Sequence, residues 1–209
     1  MSQKKIVIIG SGFSGLSSAC YLAYQGYSVT VLEKNSQVGG RARLFEAEGF
    51  KYDMGPSWYW MPDVFERFFN DFGKKVEDFY TLEKLSPGFQ VIFPDRSSFP
   101  ISNQSEELET SFENIEKGSG LKLRDFLKNA EYKYHISMTD LVYKPCHSLL
   151  EFIRWDIIKQ VFKTNLFSSL SYEVRGLFRH EKLRQIVEFP VIFLGAMADK
   201  IPALYSIMN

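Results

Sequence analysis

Apolar positions in the first forty residues fall into two short runs separated by the length of one helix. Ile6-Val7-Ile8-Ile9 is unbroken and bracketed by Lys4-Lys5 and Gly10, which predicts a strand buried on both faces of a parallel sheet. Gly26 ends the intervening helix, and Tyr27 to Leu32, with Ser28-Val29-Thr30-Val31-Leu32 at its heart, supplies a second strand. Between them lies Gly10-Ser11-Gly12-Phe13-Ser14-Gly15, with the helix opening near Ser14. The order strand, glycine turn, helix, strand predicts a βαβ unit.

Farther along, the spacing changes. Phe65, Phe68, Phe69 and Phe72 recur at i, i+3, i+4 and i+7 between Pro62-Asp63 and Gly73, so a helix is expected there, with the ring stripe facing a core. Phe79 to Leu85 and Phe89 to Phe93 read as strands around Ser86-Pro87-Gly88. A turn at Pro94-Asp95-Arg96 then leads to Phe99-Pro100-Ile101, and together these predict an antiparallel meander. From Ser105 the period is helical again. Leu108, Phe112 and Ile115 make one stripe ended by Gly118, and Leu123, Phe126, Leu127 and Ala130 make the next. Beyond Pro145, a wide apolar face runs from Leu149 to Phe162.

The glycine turn carries the chemistry. Gly10 permits a tight turn, Gly12 lets backbone approach a pyrophosphate, and Gly15 lets the helix pack closely on the strand. The helix start turns free N–H groups and its positive dipole end toward phosphate. Glu33 follows the second strand at roughly the 20-residue offset of a ribose-binding acid. A carboxylate there accepts ribose hydroxyls and repels a 2′-phosphate, so NADP is disfavoured. Next comes Val38-Gly39-Gly40-Arg41-Ala42, where two glycines admit close backbone approach and Arg41 can pair with the pyrophosphate.

With Gly39-Gly40-Arg41 in place, the sequence resembles the FAD-dependent amine oxidase and carotenoid desaturase superfamily. Tyr52-Asp53-Met54-Gly55-Pro56-Ser57-Trp58 narrows the likeness, because it resembles the Asp-x-Gly-Pro element of bacterial carotenoid desaturases, phytoene desaturase above all. The resemblance implies that Gly55, Pro56 and Ser57 line the cofactor, FAD. The expected cofactor-binding set is Gly10, Gly12, Phe13, Ser14, Gly15, Glu33, Lys34, Gly39, Gly40, Arg41, Gly55, Pro56 and Ser57. No catalytic residue is assigned; Asp53 reads equally well as a carboxylate capping a turn. Trp58, Tyr59 and Trp60 are either core aromatics or the wall of a polyene site. The fold expected is α/β: a Rossmann-like, amine-oxidase-like FAD-binding domain over 1–79, then the start of a mixed antiparallel-sheet and helical substrate domain over 80–209.

The resemblance implies desaturation of an acyclic carotenoid precursor such as phytoene. The same motifs serve carotenoid isomerases, ketolases and amine oxidases. Rab GDP-dissociation inhibitors share the fold as flavin-free binding proteins, but Glu33 and Arg41 would then have nothing to hold. Family members are much longer, so the chain is expected to be an N-terminal part. Between Leu141 and Gln185, eight Lys or Arg face four acids, a local balance of +4. With the Leu149–Phe162 face, this fits either a packed helix with a basic side or a helix lying on an anionic bilayer. A lipophilic polyene substrate favours the second, and with it a cytoplasmic chain resting peripherally on the inner face of the membrane.

Composition narrows the field further. At 209 residues, 45% hydrophobic and 24% charged, the chain is globular material. Its net charge of zero supplies no basic field for nucleic acid. Cys20 and Cys146 are too few for a disulfide framework, and Cys20 is expected as a small buried filler inside the first helix. His135, His147 and His180 share no metal-ligand spacing, so no metal is assigned. No run reaches the roughly 18 apolar residues of a spanning helix.

Overall fold

A computed structural model describes residues 3–55, 58–143 and 168–209. The chain divides into two compact units, Met1–Glu83 and Lys84–Asn209. The predicted Leu149–Phe162 helix and Cys146 lie outside the described residues.

In the first unit, β1 (Lys5–Ile9) pairs parallel with β2 (Ser28–Leu32), Lys5 opposite Ser28 and Ile9 opposite Leu32. The crossover is α1 (Phe13–Tyr24), and Gly26 closes it at φ +88°. Close packing of α1 on β1 depends on Gly15: a Cβ there would lie 3.5 Å from the Ile8 side chain and 2.0 Å from the Gly10 carbonyl oxygen. Burial along β1 alternates rather than running through. Val7 is 59% exposed and Ile9 88%, which corrects the expectation of a strand buried on both faces. β1 has only β2 beside it among the described strands, and the residues facing α1 are the covered ones, so the hydrophobic effect is satisfied on one face. Cys20 is also exposed, against expectation.

A hairpin follows that the sequence did not announce. β3 (Leu44–Ala47) pairs antiparallel with β4 (Phe50–Asp53) through a two-residue turn, Glu48 at φ 52° and Gly49 at φ 83°. Positive φ at both turn positions matches the right-handed twist of paired strands. α2 (Pro62–Asp71) starts on Pro62 as expected and is closed by Gly73 at φ +66°. Its rings pack against α1, Phe65 edge-on to Phe13, Phe68 edge-on to Tyr21 and Phe72 tilted on Tyr21. Tyr21 Oη adds a 2.6 Å bond to Asp71.

Phe79–Leu85 is not a strand. Phe79 stacks on Phe69 with centroids 4.6 Å apart, and the Tyr80 hydroxyl meets that of Tyr59 at 2.6 Å. Both rings are used against the α2 layer, and the backbone passes on as a connection. The expected meander is therefore a single hairpin, β5 (Phe89–Ile92) with β6 (Ser98–Ile101), turned at Pro94-Asp95-Arg96.

The main core lies in the second unit. α3 (Ser105–Ile115) and α4 (Ser119–Ile136) bring Phe112, Leu123 and Phe126 against Phe99 of the hairpin. α5 (Leu170–Leu177) and α6 (Glu181–Glu188) close the other side with Leu170, Val174, Leu183 and Val187. Lys133 of α4 is fully buried, and its ammonium donates to Glu173 Oε2 at 3.3 Å, the Ala203 carbonyl at 3.1 Å and Ser206 Oγ at 3.0 Å. Those bonds tie α4 to α5 and to the 3-10 turn Ala203–Met208. Among the described residues no helix is long and apolar enough to cross a membrane.

Candidate cofactor-binding site

The first unit carries an open cavity of about 930 Å³ at the carboxyl ends of β1 and β2, where open parallel sheets bind their ligands. Three sequence motifs converge on it. Gly10 leaves β1 at φ +98° while its N–H donates to the Leu32 carbonyl at 2.7 Å, which locks the turn to the end of β2. Gly12 caps α1 in an extended conformation, and a Cβ on it would meet nothing within 4 Å. That open side of the backbone is what close approach of a diphosphate requires. The first helical bond within α1 is Leu16 N–H to the Gly12 carbonyl, so the first-turn amides before it have no intrahelical acceptor. They and the helix dipole favour an anion at this end.

The second motif is held by the first. Gly39 N–H donates to the Ser11 carbonyl at 2.9 Å. A Cβ on Gly40 would stand 3.0 Å from Gly12 Cα, so the two glycine segments touch backbone to backbone. Arg41 follows in the 3-10 turn Gly40–Ala42 and lines the cavity. The third motif meets the second in the same way: a Cβ on Gly55 would lie 2.4 Å from the Arg41 carbonyl oxygen.

Of the predicted positions, Gly10, Gly12, Phe13, Ser14, Gly15, Gly39, Gly40, Arg41 and Gly55 all line this cavity. Pro56 and Ser57 lie outside the described residues. Glu33 and Lys34 are not among the lining residues. Glu33 turns its carboxylate to the chain's own donors: Ser11 N–H and Oγ reach Oε2 at 2.9 and 2.6 Å, and Asn35 N–H and Nδ2 reach Oε1 at 3.0 and 2.9 Å. The Ser11 hydroxyl and the Asn35 and Ser11 amides hold its carboxyl down to about 2, because each donor favours the ionised form.

Sequence reasoning missed Ile9, Asn35, Ala42, Arg43 and Met54, which also line the cavity. Arg43 carried a usable signal, a second arginine two places beyond Arg41, and its Nε donates to Met54 Sδ at 3.4 Å. Asn35 carried one as well, since it follows the acid by two residues and can bond back to it.

Residues 8–72 match a family described as an NAD(P)-binding Rossmann-like domain. Over the full 209 residues the chain is 39% identical to a carotenoid 3,4-desaturase of Haloarcula japonica, covering 42% of that protein. Along its whole length the chain is thus similar to carotenoid desaturases. It is also similar to a zeta-carotene-forming phytoene desaturase of Myxococcus xanthus, 31% identical over 98% of the chain and 40% of the relative, and to a 4,4′-diapophytoene desaturase of Staphylococcus aureus, 31% identical over 98% and 41%. The chain thus spans about two fifths of the length of the curated desaturases it matches.

Among solved structures, putrescine oxidase aligns with a TM-score of 0.61 at 17% identity, over 98% of this chain and 41% of that one. A fatty acid isomerase from P. acnes aligns at 0.53 and 17%, over 99% and 42%. At that identity the likeness is one of fold. It agrees with the α/β, Rossmann-like, amine-oxidase-like class expected from the sequence.

Proposed function

We propose that the first unit binds FAD and that the chain serves the desaturation of an acyclic carotenoid precursor. The observation that carries this reading is the convergence of Gly10–Gly15, Gly39–Arg41 and Gly55 on one cavity, in a chain 39% identical to a carotenoid 3,4-desaturase. When bound, the flavin would accept hydride from a saturated carbon–carbon bond.

The residues present fit the adenosine diphosphate half of such a cofactor. The α1 amides and the open backbone at Gly12 would receive the diphosphate, and Arg41 would neutralise it. Glu33, ionised at any working pH, would accept the ribose hydroxyls and reject a 2′-phosphate. Gly55, pressed on Arg41, would carry Pro56 and Ser57 along the ring system. The second unit would supply the apolar surface for the polyene, and the basic, apolar stretch around Leu149–Phe162 a peripheral contact with the inner face of the membrane.

FAD added to the purified chain should lose fluorescence saturably, and a Gly12→Val variant should not produce the loss. Incubation of the loaded protein with phytoene in liposomes under exclusion of oxygen should bleach the flavin's visible band and yield a pigment absorbing at longer wavelength. Saturable FAD binding without any spectral change across phytoene and its partly desaturated products would leave a flavoprotein of another chemistry.

A further inference from the structure

Glu33 is held in two grips of different character. On one side stands Ser11, 1% exposed, which gives both its amide and its hydroxyl to Oε2. Its carbonyl meanwhile accepts from Gly39 N–H. This donor pair belongs to the backbone junction between the glycine turn, the end of β2 and the Gly-Gly-Arg segment. Its amide cannot leave without unpicking that junction, and its hydroxyl, buried with the rest of Ser11, cannot turn to solvent instead. On the other side stands the exposed Asn35, whose amide N–H and Nδ2 both reach Oε1. Its side chain can leave by rotation alone and be solvated.

A carboxylate offers about four acceptor positions, and these four donors match them. Asn35 lines the cavity while Glu33 does not. A hydroxyl arriving from the cavity therefore has to take an acceptor position already held by the Asn35 side chain. We propose that the Asn35 amide is a built-in competitor for the nucleotide's ribose hydroxyls, displaced from Glu33 on binding, while Ser11 is the positioning residue that keeps the carboxylate in place throughout. This rests on the nucleotide reading of the same site.

Displacement lowers the apparent affinity by the fraction of molecules in which Oε1 is free. Removing the Asn35 side chain removes that handicap. Removing the Ser11 hydroxyl loosens the acid the ribose needs. The competition concerns hydroxyls alone, so a nucleotide without them should be indifferent to Asn35.

The test is a titration of the isotopically labelled 209-residue chain with ADP and with 2′,3′-dideoxy-ADP, followed by NMR. Asn35→Ala should bind ADP about three- to tenfold more tightly and dideoxy-ADP unchanged. Ser11→Ala should weaken ADP selectively. In the unsubstituted chain, the Asn35 side-chain NH2 signals should move with ADP and stay with dideoxy-ADP. Weaker ADP binding by Asn35→Ala would mean that the amide contacts the nucleotide itself, and an equal change for both nucleotides would mean a merely structural role; either overturns the proposal. Saturable binding unaltered by Asn35→Ala sinks this inference alone. Absence of saturable shifts with either nucleotide sinks the nucleotide reading as well.

Discussion

Gly15→Ala sets two opposed effects against each other at one atom. Gly15 is the third residue of α1, and replacing a helical glycine with alanine is ordinarily worth about 1 kcal/mol of stability. Here the added Cβ would stand 2.0 Å from the Gly10 carbonyl oxygen and 3.1 Å from its carbon. The obstacle is backbone, not the end of a flexible side chain. Gly10 cannot retreat freely either, since its N–H is bonded to the Leu32 carbonyl at 2.7 Å. Overpacking costs about 1–3 kcal/mol where side chains can adjust, and more where they cannot. Steric cost therefore exceeds the helical gain, and a net loss of about 2 kcal/mol is expected. Lifting α1 off the turn should also weaken ADP by at least about tenfold, the equivalent of 1.4 kcal/mol.

Gly12→Ala is the matched control. Its φ of −76° and ψ of −179° suit any residue, and its Cβ meets nothing within 4 Å. Stability should stay within about 1 kcal/mol of the parent, while ADP affinity falls because a methyl group stands where phosphate approaches. Urea unfolding followed by circular dichroism, paired with the ADP titration, reads both effects. A Gly15→Ala chain with the parent's unfolding midpoint and the parent's ADP affinity would refute the argument that this glycine is required by close packing.

Other outcomes follow from the same geometry. Lys133→Met leaves Glu173 and Ser206 without their buried cation and should cost about 3–5 kcal/mol, seen as faster hydrogen exchange in peptides covering 119–136 and 203–208. By contrast, Arg124→Ala breaks a pair with Glu109 whose arginine side is open to solvent and should shift the unfolding midpoint much less than Lys133→Met does. Glu33 should titrate near pH 2 by carboxyl-carbon NMR and move toward its ordinary value of about 4.3 when Ser11 is replaced by alanine. Because the folded value is depressed, the stability this acid contributes is full above that ordinary value and is lost as pH falls through about 2. Gly55→Ala drives a Cβ into the Arg41 carbonyl and should weaken FAD more than ADP, if that segment runs along the ring half of the cofactor.

Features whose cause is local are legible in the amino-acid order alone. Glycines at positions that need positive φ or close approach, an acid at the end of β2 and a ring stripe at helical spacing each act through the residues beside them. β1, α1, β2 and α2 followed from that, as did the lining positions of the glycine turn and of Gly39–Arg41, while Gly55 came from the family resemblance. What pairs with what was decided by tertiary structure. Phe79–Leu85 had strand-like composition, but its rings found the α2 layer and its backbone no neighbouring strand. Leu44–Ala47 does not alternate and only Phe50–Asp53 does, yet two positive-φ turn residues made the segment a hairpin. The apolar run of β1 could not reveal that one face would stay open, since coverage depends on elements supplied from elsewhere. Glu33 gives the clearest division. Its offset from the glycine turn marked it as an acid for ribose, while its actual partners, Ser11 and Asn35, follow from a backbone junction that exists only once the turn, the strand end and the Gly-Gly-Arg segment have come together.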